Sequence, residues 1–214
     1  MHFLSDALNT YVVNHSENEP ELLQQLTRET YQKVLQPRML SGHYQGRVLS
    51  MISKLVRPKN ILEIGTYTGY SALCLAEGLQ PNGHLHTIDI NEELVDFQRS
   101  YFDKSAYGPQ IQQYLGNALD IIPTLPGAFD LIFIDADKEN YAAYFNLIIN
   151  RMSSGGIILS DNVLWSGKIL DTSHKKEDKA TPALMAYNKL LKDDPRLETV
   201  LLPIRDGLTI SRKL

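Results

Sequence analysis

The order of apolar runs after Pro58 constrains the fold more than any other feature of the chain. Short runs rich in Ile, Leu and Val alternate there with longer stretches of helical spacing. The five strand-like runs are residues 61–64, 85–90, 111–115, 131–134 and 157–159. Such alternation is typical of βαβ units, so it predicts a largely parallel sheet with helices on both faces.

The chain ends in a different pattern. Residues 197–202 and 208–211 are strand-like and are separated only by residues 203–207. So short a connection cannot hold a crossover helix, so the two strands must pair as an antiparallel hairpin. The prediction is a doubly wound α/β fold with a mostly parallel seven-stranded sheet and a C-terminal antiparallel hairpin.

Residues 3–57 carry helical spacing and no strand-like run. We expect N-terminal helices in residues 1–57 and an α/β core in residues 58–214, within a single domain of residues 1–214. Pro58 is expected to end the last helix. The three apolar stripes behind these helices are Leu4, Leu8, Tyr11 and Val12; Leu22, Leu26, Tyr31 and Leu35; and Val48, Leu49, Ile52, Leu55 and Val56.

Composition excludes several classes of protein. With 43% hydrophobic and 21% charged residues, the chain has a globular rather than a disordered balance. The net charge of −4 and the lack of a basic stripe argue against a nucleic-acid partner. Cys74 is the only cysteine, which fits a reducing compartment. Without a signal-peptide pattern or a long apolar run, we expect a cytoplasmic protein that does not enter a membrane.

A glycine-containing turn follows the first predicted strand. Gly65 and Gly69 would let the backbone approach a ligand before a helix begins at about Tyr70. Tyr67 fills the place of the second glycine in the dinucleotide fingerprint G-x-G-x-x-G, and no G-K-[ST] follows. The turn therefore argues against a nicotinamide-dependent oxidoreductase and against a P-loop.

Asp89 ends the second predicted strand, about 20 residues after this turn, where a carboxylate can accept hydrogen bonds from both ribose hydroxyls. The alternative is that Asp89 only caps a helix starting near Asn91. The combination of the turn and the carboxylate favours a cofactor with a ribose.

The segment 62–73, LEIGTYTGYSAL, resembles the first motif of class I S-adenosylmethionine-dependent methyltransferases. It is most similar to the cation-dependent O-methyltransferases, which include catechol and caffeoyl-coenzyme A O-methyltransferases. The resemblance extends from Arg38 to the final hairpin and implies the Rossmann-like methyltransferase fold.

This resemblance implies a role for individual residues in binding S-adenosylmethionine. Glu63 and Gly65 would face its methionine part, Ser71 its carboxylate and Asp89 its ribose. The other expected donor contacts are Met39 and Ser41 in a segment that closes over the donor, Ala118 on the adenine side, and Tyr67, Ile90 and Asp135.

Polar residues also follow the fourth and fifth predicted strands. Asp135 ends one, and Asp161 with Asn162 ends the other, all at the edge of the sheet that carries the cofactor turn. Two carboxylates and an amide oxygen are hard ligands suited to Mg²⁺, although isolated aspartates at strand ends usually act as caps. Asp130 lies roughly 16 Å from Asp135 at about 3.3 Å per residue and belongs to the opposite edge. The resemblance implies that Asp135, Asp161 and Asn162 are the metal ligands.

A divalent cation would suit methylation of a catechol. A neutral phenol, with a pKa of about 10, is a poor nucleophile. Chelation of two vicinal oxygens would stabilise the anion and orient it. Lys138 could take the proton if its pKa were depressed, and the alternative is a solvated lysine on the first turn of a helix. The resemblance favours the base, and it leaves Asp137 either as an outer partner or as a solvated residue.

The acceptor side has weaker signals. The resemblance implies that Trp165 walls the acceptor pocket and that Asp206 approaches the second hydroxyl. The alternatives are a core tryptophan and an ordinary turn aspartate. The charged cluster 174–179 is better explained as a solvated loop than as a site for coenzyme A phosphates. The helix predicted at 181–192 has only Tyr187 as an aromatic residue, so a free small catechol is favoured over a coenzyme A ester.

Two other classes stay open on the sequence alone. One is the nicotinamide-dependent oxidoreductase, and the other is a non-catalytic binding module that retains the donor pocket. The resemblance also leads us to expect a homodimer that pairs through the N-terminal helices.

Overall fold

The computed structural model describes residues 4–170 and 177–214. Its helices are α1 (Asp6–Asn14), α2 (Glu21–Lys33), α3 (Gly42–Val56), α4 (Tyr70–Ala76), α5 (Val95–Phe102), α6 (Ala118–Ile121), α7 (Tyr141–Ile148) and α8 (Ala180–Asp193). Its strands are β1 (Asn60–Ile64), β2 (His84–Asp89), β3 (Ile111–Leu115), β4 (Phe129–Ile134), β5 (Met152–Asp161), β6 (Leu197–Leu202) and β7 (Leu208–Lys213).

The strands form one seven-stranded sheet in the order β3-β2-β1-β4-β5-β7-β6. The pairs among β1 to β5 are parallel, and β7 pairs antiparallel with both β5 and β6. The predicted doubly wound sheet with a C-terminal hairpin is confirmed. The strand order reverses between β1 and β4, so the carboxyl ends of these strands open a crevice in which ligands bind in such folds.

The sheet is covered on both faces because its central strands are apolar on both sides. Alternate residues of β1 enter different cores: Leu62 packs toward α7 and α8, and Ile61 packs toward α2, α3 and α4. Phe133 and Ile134 of β4 divide in the same way. These two cores fix the positions of the strand ends that carry the polar residues.

The N-terminal helices depart from the predicted apolar stripes. The buried residues of α2 are Leu23, Leu26 and Thr30, while Tyr31 is 62% exposed and Leu35 is 84% exposed. Leu22 and Leu26 of the predicted stripe pack into the core, whereas Tyr31 and Leu35 do not, because neighbouring stripes on a helix both satisfy a spacing of three or four. Leu35 also lies beyond the end of α2.

Helix α3 is unusual because it buries polar side chains. Arg47, Ser50 and Lys54 all contact the carboxylate of Glu77, which follows α4. Helix α3 ends at Val56, as Pro58 predicts, with Arg57 in the left-handed region at φ 51°. Among the described residues, no helix is both long enough and apolar enough to cross a membrane.

Candidate active site

The loop between β1 and α4 is built around two glycines. Gly65 has φ +99°, and a Cβ at this position would lie 2.0 Å from the carbonyl oxygen of Asp135. Gly69 has φ +87° and directly precedes α4, where a Cβ would lie 2.6 Å from the ring of Phe102. Both positions therefore require glycine. The predicted helix start at Tyr70 is confirmed, and the back of the turn rests on Asp135.

Asp89 braces this turn from β2. Its Oδ2 accepts a hydrogen bond from the Tyr67 amide at 2.7 Å, and its Oδ1 accepts one from the Asn91 amide at 2.9 Å. The following 3-10 turn is capped by the side chain of Asn91, which accepts from the Glu93 amide, so the alternative of Asp89 as the cap is wrong. Each oxygen of Asp89 keeps capacity for a second hydrogen bond. That capacity suits a pair of ribose hydroxyls.

Glu63 is a fully buried carboxyl near the end of β1. Its Oε2 accepts a hydrogen bond from the hydroxyl of Thr87. Its Oε1 has no hydrogen bond of good geometry from the described residues, and the nearby Ser71 hydroxyl only opposes the rise in its pKa. Burial raises the pKa of Glu63 to about 8. A buried acceptor without a partner is costly, so this oxygen fits a donor molecule with a cationic group, such as the ammonium of a methionine moiety.

The other residues expected to contact the donor lie around the turn. Ser71 is buried in α4, and Ala118 is buried at the start of α6. Gly116 donates its amide to the Asp89 carbonyl at 2.8 Å, which brings the 116–118 segment beside the turn. Ile90 is 76% exposed directly after Asp89.

The segment 35–41 is fastened beside the turn at both ends. The hydroxyl of Tyr67 donates to the carbonyls of Leu35 and Gln36 at 3.0 and 3.2 Å. At the other end, Arg205 donates to the carbonyls of Leu40 and Ser41. Between these anchors, Met39 is 57% exposed, and Ser41 is buried just before α3.

Asp135 and Asp161 come together because β4 and β5 are in register. Ile134 pairs with Ser160, so the two aspartates follow on strands about 4.8 Å apart. Asp161 is 2% exposed, and its pKa is raised above the usual range by burial and by the charge of Asp135. Asn162 follows it at φ 58°.

The chemistry of this group fits a divalent cation. Asp161 forms no salt bridge with any residue that the structure describes, and its two oxygens accept only from the Asn162 amide and the Gln45 side chain. In residues 4–170 and 177–214, no three His, Cys, Asp or Glu side chains are grouped to hold a metal ion, so a third ligand would be the amide of Asn162. Two neighbouring carboxylates, one of them buried, are stabilised by a cation between them.

Lys138 is buried, with 8% exposure, so the alternative of a solvated lysine is wrong. Its Nζ donates to Asp135 Oδ1 at 3.0 Å and to the hydroxyl oxygen of Tyr141 at 2.7 Å. The Tyr141 hydroxyl in turn donates to the Asp161 carbonyl at 3.0 Å, and burial raises its pKa well above the usual range. Lys138 therefore contacts the Asp135 carboxylate directly, and it is linked to the backbone carbonyl of Asp161 through the neutral hydroxyl of Tyr141.

Asp137 and Asp130 lie outside this group. Asp137 is exposed and accepts from the side chains of Tyr144 and Asn140, so it braces the start of α7. Asp130 lies at the amino end of β4, where it accepts from the amides of Lys59 and Asn60 and from the hydroxyl of Ser153. Its predicted exclusion from the site is confirmed.

Asp206, in the turn between β6 and β7, bonds the residues on either side of Trp165 in the loop after β5. Trp165 is half-buried against the core formed with α7 and α8, and Lys168 Nζ lies 5.6 Å from its ring centroid. Its Nε1 has no hydrogen-bond partner among the residues that the structure describes. Asp206 accepts from the Ser166 amide through its side chain and from the Leu164 amide, at 2.9 Å, through its carbonyl. In this structure Asp206 holds the loop of Trp165, and its approach to an acceptor hydroxyl stays a prediction. Most of the charged cluster 174–179 lies outside the described residues.

Sequence reasoning missed three residues at this edge: Gln45, Tyr141 and Arg205. Tyr141 follows Lys138 by three residues, a spacing that places the two side chains together on a helical turn and was available in the sequence. Gln45 lies 116 residues before Asp161 in the sequence, and Arg205 lies in the hairpin turn. No local sequence pattern indicates that either residue reaches the site.

Comparisons with known proteins agree with this geometry. The family model described as O-methyltransferase matches residues 13–214. A caffeoyl-CoA O-methyltransferase from Petroselinum crispum is 35% identical over 222 residues, which cover 98% of this chain and 92% of that protein. Two solved structures are also similar. One is an SAH-bound methyltransferase from Podospora anserina, with TM-score 0.88, 31% identity and coverage of 98% of this chain and 94% of that one. The other is an O-methyltransferase from Bacillus cereus in complex with SAH, with TM-score 0.89, 28% identity and coverage of 97% of each chain.

The fold and the turn after β1 define a Rossmann-like methyltransferase. Because the family match covers nearly the whole chain, the protein belongs to the O-methyltransferase family, as the resemblance of segment 62–73 indicates.

Proposed function

We propose that this protein transfers a methyl group from S-adenosylmethionine to one hydroxyl of a small catechol-type compound, and that the reaction depends on a divalent cation, with Mg²⁺ as the first choice. The observation that carries the proposal is the pair Asp135 and Asp161. These carboxylates are adjacent at the carboxyl edge of the sheet, and the buried one forms no salt bridge with the described residues.

The donor is proposed to lie along the turn after β1. Its methionine ammonium would meet Glu63 Oε1, which is buried and without a partner, and its ribose would meet Asp89. The glycines of this turn let its backbone pack closely against Asp135 and Phe102, which fixes the position of the turn. The SAH in the two similar solved structures supports this donor.

A divalent cation held by Asp135, Asp161 and Asn162 would supply positive charge that lowers the pKa of two vicinal hydroxyls and orients them. This requirement explains the preference for neighbouring hydroxyls, since a lone phenol offers a single ligand. The residues themselves supply oxygen atoms, which are the ligands that Mg²⁺ prefers.

Lys138 is proposed to remove the acceptor proton. Its Nζ is held by Asp135 and Tyr141, so its direction is set before the acceptor arrives. The proposed step requires Lys138, which is paired with Asp135 in this structure, to give up its proton when the divalent cation takes its place at that carboxylate. The hydroxyl proton then passes to the Lys138 amine and the oxygen forms a bond to the methyl carbon. The carbon–sulfur bond breaks at the same time, with its electron pair staying on sulfur. Such proton transfer contributes about 10²- to 10⁴-fold in many enzymes.

Trp165 is proposed to form one wall of the acceptor pocket, with Asp206 at the second hydroxyl. The loop that carries Trp165 is held to the hairpin turn by Asp206, so the two residues act on one site. An aromatic ring stacked on Trp165 would gain a contact typical of offset aromatic pairs.

A coenzyme A ester of a catechol acid is the second candidate acceptor, and the similarity to caffeoyl-CoA O-methyltransferases favours it. A free catechol is favoured by helix α8, because its Tyr187 is fully buried and hydrogen-bonded to Ser160, so it offers no ring to a coenzyme A group.

A homodimer is proposed to form through the N-terminal helices. Helix α1 has no buried residue, and its apolar side chains Leu8 and Tyr11 are 55% and 62% exposed. Met51 and Leu55 of α3 are also largely exposed, and α3 contacts α1. Light scattering should give twice the mass of the chain, and a monomer would contradict this part of the proposal.

Incubation with S-adenosylmethionine and either caffeic acid or its coenzyme A ester tests the proposed function. A gain of one methyl group by mass spectrometry, lost with a chelator and restored with Mg²⁺, is expected for the free acid. Product that forms equally with the chelator present would contradict the metal requirement. Methylation of the coenzyme A ester but not of the free acid would contradict the free catechol as acceptor and support the second candidate.

A further inference from the structure

A chain of polar side chains joins the hairpin turn to Asp161 through α3. Arg205 Nη1 donates to Gln45 Oε1 at 3.3 Å, and Gln45 Nε2 donates to Asp161 Oδ2 at 2.6 Å. Gln45 is 1% exposed and Asp161 is 2% exposed, so no solvent competes for these bonds. The three residues come from distant parts of the sequence and meet only in the folded chain.

The orientation of the Gln45 amide follows from the chemistry of its two neighbours. A guanidinium only donates hydrogen bonds, and an ionised carboxylate only accepts them. The amide oxygen must therefore face Arg205 and the amide nitrogen must face Asp161. No other orientation of Gln45 satisfies both partners, and Arg205 fixes which end of the amide reaches the carboxylate.

The bond from Gln45 restricts the rotation of Asp161. The terminal torsion of an aspartate is broad, so an aspartate with one partner turns freely between orientations. Asp161 has the Asn162 amide on Oδ1 and Gln45 on Oδ2, and each oxygen retains one site for a further ligand. The carboxylate plane is thereby set before a ligand binds.

We propose that Gln45 is a positioning residue that orients the carboxylate of Asp161 toward the divalent cation, and that Arg205 holds Gln45 in the required orientation. This inference rests on the proposed function, because it needs a cation at Asp135 and Asp161. The inference goes beyond the proposed function by assigning roles to helix α3 and to the hairpin turn, neither of which supplies a metal ligand.

Arg205 also connects this chain to the segment beside the donor. The same Nη1 also donates to the carbonyls of Leu40 and Ser41, so loss of the guanidinium removes support from Gln45 and from that segment together. A change at Arg205 should therefore affect cation and donor binding, whereas a change at Gln45 should affect the cation.

The test compares Gln45→Met with wild type in the binding of Mn²⁺, measured by electron paramagnetic resonance, and of S-adenosylmethionine without cation, measured by calorimetry. Methionine keeps the length of glutamine and removes its donor. We expect the Kd for Mn²⁺ to rise about 10- to 100-fold, the range typical of lost outer partners of metal ligands, with the donor Kd within about two-fold. Arg205→Met should raise the Kd for Mn²⁺ in the same direction and should also weaken donor binding.

Ser53→Ala is the matched control, since Ser53 is a buried polar residue of the same helix that bonds the Leu75 carbonyl away from the site. It should leave both Kd values within about two-fold. Asp161→Asn distinguishes the two proposals. If Asp161→Asn abolishes Mn²⁺ binding and both Gln45→Met and Arg205→Met match wild type, the positioning role is overturned and the metal site stands. If wild type binds no Mn²⁺ that depends on Asp161, both proposals are overturned. Should thermal unfolding show that Gln45→Met does not fold, Arg205→Met decides the outcome alone.

Discussion

The two ends of β4 each carry an aspartate, and the structure uses them differently. Asp130 at the amino end is saturated by two backbone amides and a serine hydroxyl. Asp135 at the carboxyl end has one lysine as its partner and stands beside the buried Asp161. At the amino edge, the carboxylate of Asp130 is thus hydrogen-bonded by neighbouring groups of the fold. The carboxyl edge keeps carboxylates with spare hydrogen-bonding and coordination capacity, which supports the proposal that the reaction takes place there.

The largest difference is expected between Asp161→Asn and Asp130→Asn. We expect Asp161→Asn to lower kcat by about 10³-fold or more, because it removes a charged ligand, while the donor Kd stays within about two-fold. Asp130→Asn should keep its activity and lose about 1–3 kcal/mol of stability, because its partners are backbone donors. Steady-state kinetics and urea unfolding of both variants measure this, and equal losses of kcat would erase the distinction between the edges.

Lys138→Met should have the next largest effect. Removing the base is expected to lower kcat about 10²- to 10⁴-fold. Cation affinity should stay the same or increase, since a positive charge next to Asp135 is lost. The measurement is kcat across pH together with Mn²⁺ titration. A variant with weaker cation binding but wild-type kcat at saturating cation would assign Lys138 to the metal site rather than to proton transfer.

Gly65→Ala tests how tightly the cofactor turn rests on the carboxyl edge. A Cβ 2.0 Å from the Asp135 carbonyl cannot be accommodated, so we expect a loss of about 3 kcal/mol or more, with weaker binding of both donor and cation. Gly155→Ala is the control, because Gly155 also has positive φ, at +79°, and its nearest neighbour is 4.0 Å away. It should cost about 1–2 kcal/mol. Similar unfolding free energies for the two variants would contradict the close packing of the turn.

Glu63→Gln should have the smallest effect below about pH 4.5, where Glu63 is protonated and glutamine has nearly the same shape, and its effect should change with pH. The folded-state pKa of about 8 is above the ordinary 4.5, so the stability that this group contributes is full below pH 4.5 and is lost as pH rises to about 8. Without bound donor, the free energy of unfolding of the wild type should fall relative to that of the variant by at most about 1.4 kcal/mol per pH unit in that window. Urea unfolding at several pH values measures the slope. A constant difference between wild type and variant would show that Glu63 is ionised when buried.

Much of the carboxyl edge was predictable from sequence because strand ends are local features. The spacing between Asp130 and Asp135 was enough to assign them to opposite edges, and both placements agree with the structure. Strand β5 is longer than predicted, Met152–Asp161 against 157–159, because Gly155 and Gly156 interrupt its apolar pattern. They lie in an irregular stretch of β5 between the pairs Phe129–Met152 and Leu131–Ile157.

The parts that were missed depend on tertiary contacts. The prediction of the buried face of α2 was partly wrong because helical spacing alone does not choose between adjacent stripes. The bond between Gln45 and Asp161 joins residues 116 positions apart, and Asp206 turned out to hold a loop. Such contacts leave no periodic trace in a sequence.

The most direct test of the central claim compares three acceptors that differ only in their hydroxyls: catechol, resorcinol and phenol. Initial rates are measured with S-adenosylmethionine, with Mg²⁺ and with a chelator. If two neighbouring oxygens bind the cation at Asp135, Asp161 and Asn162, catechol alone should be methylated at an appreciable rate, and the chelator should abolish that rate. Comparable rates for phenol or resorcinol, or a catechol rate that survives the chelator, would contradict the account.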